Sequence, residues 1–255
     1  MRRLRVIYDG RTLVKRGVSP VISMVIITAT LLVILVIASF FATNLLEIQM
    51  QNSEFEQAKT AMLLLDKTIM DVSLRPGAAS SVQFNQRSGG IGVYKGGLIN
   101  VTISSPSRTL YTYVNSTYII KYRGGSMVSV AQMNLTNPGG LIITDLSKPL
   151  GYVRIEIGNE AWIVLDYNRV RIIKNENLGT LDIYLIRLEP GVFGGSGTVS
   201  VRVQNRDINM ASIQLSGSSD LMVHVNVDEH HADYPGISGV SIVRIVEVLI
   251  NVSIM

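Results

Sequence analysis

The longest apolar stretch of the chain lies near its beginning. No charged residue or histidine occurs from Val18 to Leu46, and a membrane-spanning helix needs only about 20 apolar residues. As an α-helix the stretch would extend roughly 43 Å, against roughly 30 Å for the hydrocarbon core of a bilayer. Ser19 and Pro20 suit the N-cap and first position of that helix. The pattern predicts a membrane-spanning helix long enough for part of it to pack against protein.

A second helical pattern follows directly. After Glu47 apolar residues recur at steps of three and four, which is typical of one stripe of an amphipathic helix. The stripe consists of Phe55, Ala58, Met62, Leu65, Ile69 and Val72. No glycine or proline interrupts residues 21–74, and Pro76 then disfavours further helix. We expect one long helix over residues 18–76, with an apolar part at 18–46 and an amphipathic part at 47–74.

Beyond Gly77 the period of the apolar residues changes to two. Residues 199–204, 152–158 and 221–228 alternate between apolar and polar side chains, as half-buried strands do. Pairs of glycines and Pro138 separate such segments. Further strands are expected at 98–103, 110–114, 117–122, 161–166, 169–174, 180–188 and 240–253.

These patterns predict an α+β fold. A long N-terminal α-helix, apolar in its first half and amphipathic in its second, carries a mainly antiparallel, β-sandwich-like C-terminal domain over residues 77–255. The glycines near 139 and at 191–197 leave open whether this domain is one β module or two.

Charge is distributed unevenly along the chain. The net charge is +4, yet residues 1–17 hold six basic residues against Asp9 and so carry +5, while the remainder, with 17 basic and 18 acidic residues, carries −1. Positive residues beside a membrane helix stay on the cytoplasmic side. We therefore expect a cytoplasmic N-terminus, an external C-terminal domain and no nucleic-acid partner. The chain has no cysteine, which excludes disulfides, thiolate metal sites and cysteine catalysis.

The junction between the basic leader and the apolar stretch carries the most specific motif. The stretch KRGVSPVISMVIITATLLVILVIA, residues 15–38, resembles the N-terminus of archaeal type IV pilin-like proteins, the group with class III signal peptides that includes archaellins. The resemblance implies that Lys15 and Arg16 are recognised by a prepilin peptidase, that Gly17 ends the leader and that Val18 begins the mature chain. It covers residues 15 to about 45 and leaves the β domain aside.

The resemblance also implies a function. Processed subunits would assemble with other pilin subunits, identical or different, through their apolar helices, giving a surface filament with outward β domains and a possible role in adhesion. Bacterial pilins carry a glutamate at the fifth mature position, where this chain has Ile22. Archaeal relatives commonly lack that glutamate, so Ile22 removes one assembly contact without removing the resemblance.

Other interpretations of the N-terminus remain open. A secretory signal has an apolar region of 7–15 residues followed by a small-residue cleavage site; this stretch is about twice as long, and its nearest candidate, Ala38-Ser39-Phe40, lies within it. The main alternative is an uncleaved single-pass anchor for an extracellular β domain that binds a ligand. An ectoenzyme would require a cluster of acid and base residues.

Four N-x-S/T sequons lie in the part expected outside the cell. Because such sequons can accept N-glycans on exported surfaces, Asn100, Asn115, Asn134 and Asn251 are candidate glycosylation sites.

The three histidines occur together in HVNVDEHHADY, as His224, His230 and His231. Their spacing matches no zinc motif, and we interpret the segment as a solvated strand end and loop. The sequence contains no G-x-S-x-G, Walker A or H-E-x-x-H motif. It therefore predicts no enzyme activity, no metal and no cofactor.

Overall fold

The computed structural model describes residues 20–195, 197–215 and 220–255, which form one helix and thirteen strands. The helix α1 spans Pro20–Ser73. The strands are β1 (Ala79–Gln86), β2 (Gly90–Ser105), β3 (Arg108–Arg123), β4 (Met133–Asn134), β5 (Ile142–Ile143), β6 (Tyr152–Ile157), β7 (Ala161–Asp166), β8 (Val170–Asn175), β9 (Thr180–Phe193), β10 (Gly197–Gln214), β11 (Leu221–Val227), β12 (His230–Ile237) and β13 (Ile242–Ile254). The predicted α+β layout is confirmed.

The chain divides into two compact units, with the boundary between Glu47 and Ile48. The first unit contains the beginning of α1. The second unit, Ile48–Met255, contains the rest of α1 and every described strand. The β-rich part is thus one unit, although the sequence had left one or two modules open.

In the first unit, α1 exposes its side chains on all sides. Every residue from Pro20 to Glu47 is exposed except Ser23 and Asn44, which are half-buried. Leu35 and Phe41, for example, are each 67% exposed. Among the described residues, this is the one helix long and apolar enough to cross a membrane.

In the second unit, α1 buries the stripe that the sequence predicts. The six apolar residues of that stripe are at most 4% exposed: Phe55, Ala58, Met62, Leu65, Ile69 and Val72. Leu64, next to one of them, is 54% exposed, because adjacent helical positions point to different faces. The prediction of an amphipathic second half is therefore confirmed.

The C-terminal end of α1 is capped from a strand. A helix leaves its last four carbonyl groups without intrahelical partners. The side-chain amide of Asn205, which is fully buried, donates to the carbonyl oxygens of Val72 and Ser73, each at 3.2 Å. Asn205 lies where the pairing of β10 with β13 shifts register, so this irregularity places an amide at the helix end.

Two sheets make up the second unit. One has the order β1-β10-β13-β9-β8-β5 and the other the order β12-β11-β2-β3-β7-β6-β4. Neighbouring strands are antiparallel except for β13 with β9 and β5 with β8, which are parallel. The sheets are therefore mainly antiparallel, as predicted.

Two hydrophobic clusters fill this unit. The first contains the buried stripe of α1 together with residues of both sheets, such as Val201 from β10 and Ile163 from β7. The second joins the two sheets without α1, for example through Ile183 of β9 and Val223 of β11. The helix and both sheets thus share one core, and the sheets pack directly on each other in a second.

Three local predictions differ from the structure. The strands expected at 110–114 and 117–122 are parts of one strand, β3. Gly96-Gly97, one of the glycine pairs expected to separate strands, lies inside β2, where the pairing with β3 shifts register. The end of the segment HVNVDEHHADY, expected to be a loop after the strand that stops at Asp228, lies in β12. Glycine can mark a bulge as well as a turn, and alternation alone does not tell these apart.

Candidate functional site

The predicted processing residues Lys15, Arg16, Gly17 and Val18 lie outside the described residues. The functional features that can be described begin with residues 20–46 of α1, called the apolar segment below. They continue with residues 51–73, called the docked segment, whose buried stripe belongs to the first hydrophobic cluster.

Three threonine side chains of the apolar segment find partners within the helix. The hydroxyls of Thr28, Thr30 and Thr43 donate to backbone carbonyl oxygens four residues earlier, at 2.8–2.9 Å. A hydroxyl without a partner in an apolar environment carries a large free-energy cost. These side chains are therefore compatible with lipid or with a packed helix bundle.

A buried carboxylate fixes the first turns of the docked segment. Glu54 is 7% exposed, and its side chain accepts hydrogen bonds from the backbone N–H of Ser88 at 3.0 Å and of Gly89 at 3.2 Å. The Ser88 hydroxyl donates to it at 2.6 Å, and the Tyr122 hydroxyl lies 2.9 Å from Glu54 Oε1. One side chain of α1 thereby joins the loop before β2 and the strand β3.

These contacts determine the protonation of both partners. Burial would raise the pKa of Glu54, but the hydrogen bonds from Ser88, Tyr122 and Gly89 together outweigh it and lower that pKa. Burial, followed by the hydrogen bond to Glu54 and its charge, raises the pKa of the Tyr122 phenol. The arrangement therefore favours an ionised Glu54 and a neutral Tyr122.

The pKa of a second buried carboxylate, that of Asp66, is shifted in the opposite direction. Asp66 is 5% exposed, and the Tyr167 hydroxyl donates to its Oδ1 at 2.5 Å. Burial raises the pKa of Asp66, although the hydrogen bond from Tyr167 and the charge of Lys67 oppose this effect. A side chain at position 151 would collide with the Asp66 carboxylate, so Gly151 allows the chain just before β6 to approach the helix closely.

The four sequon asparagines differ in exposure. Asn134 is exposed and lies in β4, at one end of the strand order, where its Oδ1 accepts a hydrogen bond from Tyr152 at 2.7 Å. Asn100, Asn115 and Asn251 are half-buried within the longer strands β2, β3 and β13. Of the four, Asn134 offers its side chain most openly to a glycosylating enzyme.

The histidine-rich segment is a hairpin. Strands β11 and β12 are joined by Asp228 and Glu229, and Asp228 has a positive φ of 50°, which aspartate tolerates better than most residues. His224 Nδ1 lies 2.7 Å from Asp233 Oδ1 across the two strands. In the described parts of the chain, no three His, Cys, Asp or Glu residues are grouped so that they could hold a metal ion.

Sequence analysis missed the partners of these side chains. The stripe of α1 was evident from spacing, but the contacts of Glu54 with Ser88 and Tyr122 join residues 34 and 68 positions apart. The sequence feature that could have indicated these contacts is a glutamate on the same helix face as the apolar stripe.

Comparisons of the chain with models of protein families, with curated proteins and with solved structures gave no match.

Proposed function

We propose that the protein is a pilin-like subunit of an archaeal type IV pilus-like surface filament. A prepilin peptidase cuts after Gly17, and the mature chain beginning at Val18 assembles with other subunits through its apolar helix. Before assembly the protein is a single-pass membrane protein with a cytoplasmic N-terminus and an external β domain. In the filament that domain faces outward and is available for adhesion.

The observation that supports this proposal most directly is the exposure of the apolar segment. Its large side chains are exposed, and Leu35 for example is about two-thirds exposed. Apolar surface contributes roughly 25 cal/mol per Å² when it is removed from water. The segment therefore needs lipid before assembly and the helices of other subunits after it.

Cleavage of the leader explains why the apolar segment would move from the lipid bilayer into a bundle of helices. The leader carries +5 and holds the N-terminus in the cytoplasm. Removal of residues 1–17 replaces these charges in one step by the single α-amino group of Val18 and leaves a helix start that has no charged side chain. Such a helix can leave the bilayer when it packs against similar helices.

The docked segment gives the assembled helix a firm attachment to the β domain. Its apolar stripe is buried, Glu54 is bonded to Ser88 and Tyr122, and Asn205 caps its last carbonyl groups. A tensile force on the apolar segment could separate α1 from the β domain only if all of these buried contacts broke together. This arrangement suits a subunit that carries load along a filament.

A substitution at the cleavage position tests the proposal. Gly17→Leu places a bulky side chain at the predicted cut, whereas Gly17→Ala keeps a small residue as the matched control. We expect wild type and Gly17→Ala to begin at Val18 and to enter sheared surface filaments. Gly17→Leu should retain its leader and remain in the membrane.

The proposal fails if Gly17→Leu is cut at the same bond, because the motif then does not direct processing. It also fails if the wild-type chain keeps its leader. That second result favours an uncleaved membrane anchor for an extracellular binding domain.

A further inference from the structure

Three side chains on adjacent strands of the seven-stranded sheet form a hydrogen-bonded line. Ser104 belongs to β2, His224 to β11 and Asp233 to β12. His224 Nε2 lies 3.3 Å from Ser104 Oγ, and His224 Nδ1 lies 2.7 Å from Asp233 Oδ1. The imidazole thus bridges a hydroxyl and a carboxylate through its two nitrogens.

The register of the strands produces this line. His224 lies directly opposite Asp233, while Ser104 pairs with Met222, two residues from His224 on the same face of the sheet. The intervening residues Ile103 and Val223 point the other way and are fully buried. Core packing on one face therefore fixes the backbone that presents the three polar side chains on the other.

The carboxylate determines which nitrogen of His224 carries the proton. An ionised carboxylate can only accept hydrogen bonds, so the neutral imidazole donates to Asp233 through Nδ1–H. Nε2 then has a free lone pair directed at Ser104, and the Ser104 hydroxyl donates to it. Ser104 is thereby in the position of a nucleophile, His224 in that of its base, and Asp233 in that of the group that orients the base.

A pocket lies beside the hydroxyl. It has a volume of about 290 Å³, and its wall includes Ser104, Pro106, Leu221 and Met222. Pro106 and Met222 give this wall an apolar surface that would accommodate a short acyl chain, with the carbonyl carbon next to Ser104 Oγ, whereas the Leu221 side chain is buried in the core.

We propose that Ser104, His224 and Asp233 form an acyl-transfer site for esters of short apolar carboxylic acids. Ser104 Oγ attacks the ester carbonyl carbon while its proton passes to His224 Nε2. The bond to the leaving alcohol then breaks, and the alcohol departs with that proton. Water, deprotonated by the same nitrogen, cleaves the acyl-serine and releases the carboxylic acid and the free hydroxyl. No oxidant, metal or cofactor enters this reaction.

This activity is separate from filament assembly and does not depend on it. It departs from the expectation of no catalysis, which rested on the lack of a local motif. Ser104 and His224 are 120 positions apart in the chain, so only the sheet register brings them together.

The test uses the full-length protein in detergent and a fluorophosphonate probe, which reacts with activated serine hydroxyls. Peptide mass spectrometry identifies the labelled residue. Ser107→Ala is the matched control, because Ser107 is an exposed serine three positions away that contacts Ser105 and no histidine. We expect label on Ser104 in wild type and in Ser107→Ala, and none at this position in Ser104→Ala.

Three further variants distinguish a general base from a residue that has only a structural contact. General-base catalysis contributes roughly 10²–10⁴-fold, so His224→Ala should label at least about tenfold more slowly, and added imidazole should restore part of the rate. Asp233 acts as a positioning residue, and Asp233→Glu should retain more labelling than Asp233→Asn at an unchanged melting temperature. Labelling of Ser104 no faster than that of Ser107, or a His224→Ala rate equal to wild type, overturns the proposal.

Discussion

The Tyr122 hydroxyl lies 2.9 Å from Glu54 Oε1, which places a carboxylate of the helix against the phenol of a central strand. Both side chains are buried, and Glu54 also accepts bonds from Ser88 and Gly89. A buried carboxylate satisfied by several donors attaches the helix to the β domain in one orientation, because any other rotation of α1 leaves these groups without partners.

Replacement of this carboxylate should weaken the domain. In Glu54→Gln the ionised acceptor is lost, and buried donors lose part of their hydrogen bonding. We expect the free energy of unfolding to fall by about 2–3 kcal/mol, measured by chemical denaturation of the full-length protein in detergent. Glu56→Gln is the control: its side chain is 60% exposed and pairs with Lys59, so a change within about 0.5 kcal/mol is expected. Equal losses in the two variants would contradict the assigned role.

Acid should act on the same contact. Because the pKa of Glu54 is lowered in the folded protein, the unfolded chain binds more protons as pH falls below the ordinary value of 4.5. The stability that Glu54 contributes is present above that value and is lost as pH falls through the lowered pKa. Chemical denaturation at a series of pH values measures this effect. As the pH falls, the free energy of unfolding should decrease less in Glu54→Gln than in wild type.

Asp66 should respond to pH in the opposite direction. Its pKa is raised by burial, so between the ordinary value of 3.8 and the raised value the folded state binds more protons than the unfolded state. Its contribution to stability therefore falls as pH rises through this window. We expect Asp66→Asn to be more stable than wild type at neutral pH, since the amide oxygen still accepts from Tyr167.

Asp71→Asn, at an exposed position of the same helix, is the control for Asp66→Asn and should leave both stability and its pH dependence unchanged. If Asp66→Asn is strongly destabilising at neutral pH, ionised Asp66 is needed in the core and the account of its burial is wrong.

Neighbouring leucines of α1 provide a direct test of the buried stripe. Leu65 is fully buried, and Leu64 is 54% exposed. Leu65→Ala should lower the free energy of unfolding by about 2–5 kcal/mol, because it leaves a cavity in the core. Leu64→Ala should change it by no more than about 0.5 kcal/mol. A reversed order would mean that the docked segment presents another face to the sheets.

Exposure leads to a prediction about glycosylation. Asn134 is exposed in β4, whereas Asn100 is half-buried in β2 and paired on both sides. On protein from the native cell envelope, Asn134→Gln should remove the mass of one glycan, and Asn100→Gln should leave the glycan mass unchanged. A glycopeptide at Asn100 with an unmodified Asn134 would show that exposure in the folded domain does not govern modification.

The sequence predicted those features whose cause is local. The steps of three and four from Phe55 to Val72 predicted the buried face of α1, and Pro76 predicted its end. Alternation predicted most strands but not their neighbours, so the parallel pairing of β13 with β9 and the line from Ser104 to His224 were inaccessible. The residues after Asp228 were interpreted as a loop because they are polar, yet they begin β12, an edge strand that also tolerates Pro235.

The measurement that tests the central claim most directly is the intact mass and N-terminal sequence of the protein recovered from its native cell envelope. The account predicts a chain that begins at Val18, both in the membrane pool after processing and in sheared surface filaments. A chain that keeps residues 1–17 would contradict it, and the protein would then be a single-pass anchor for its β domain.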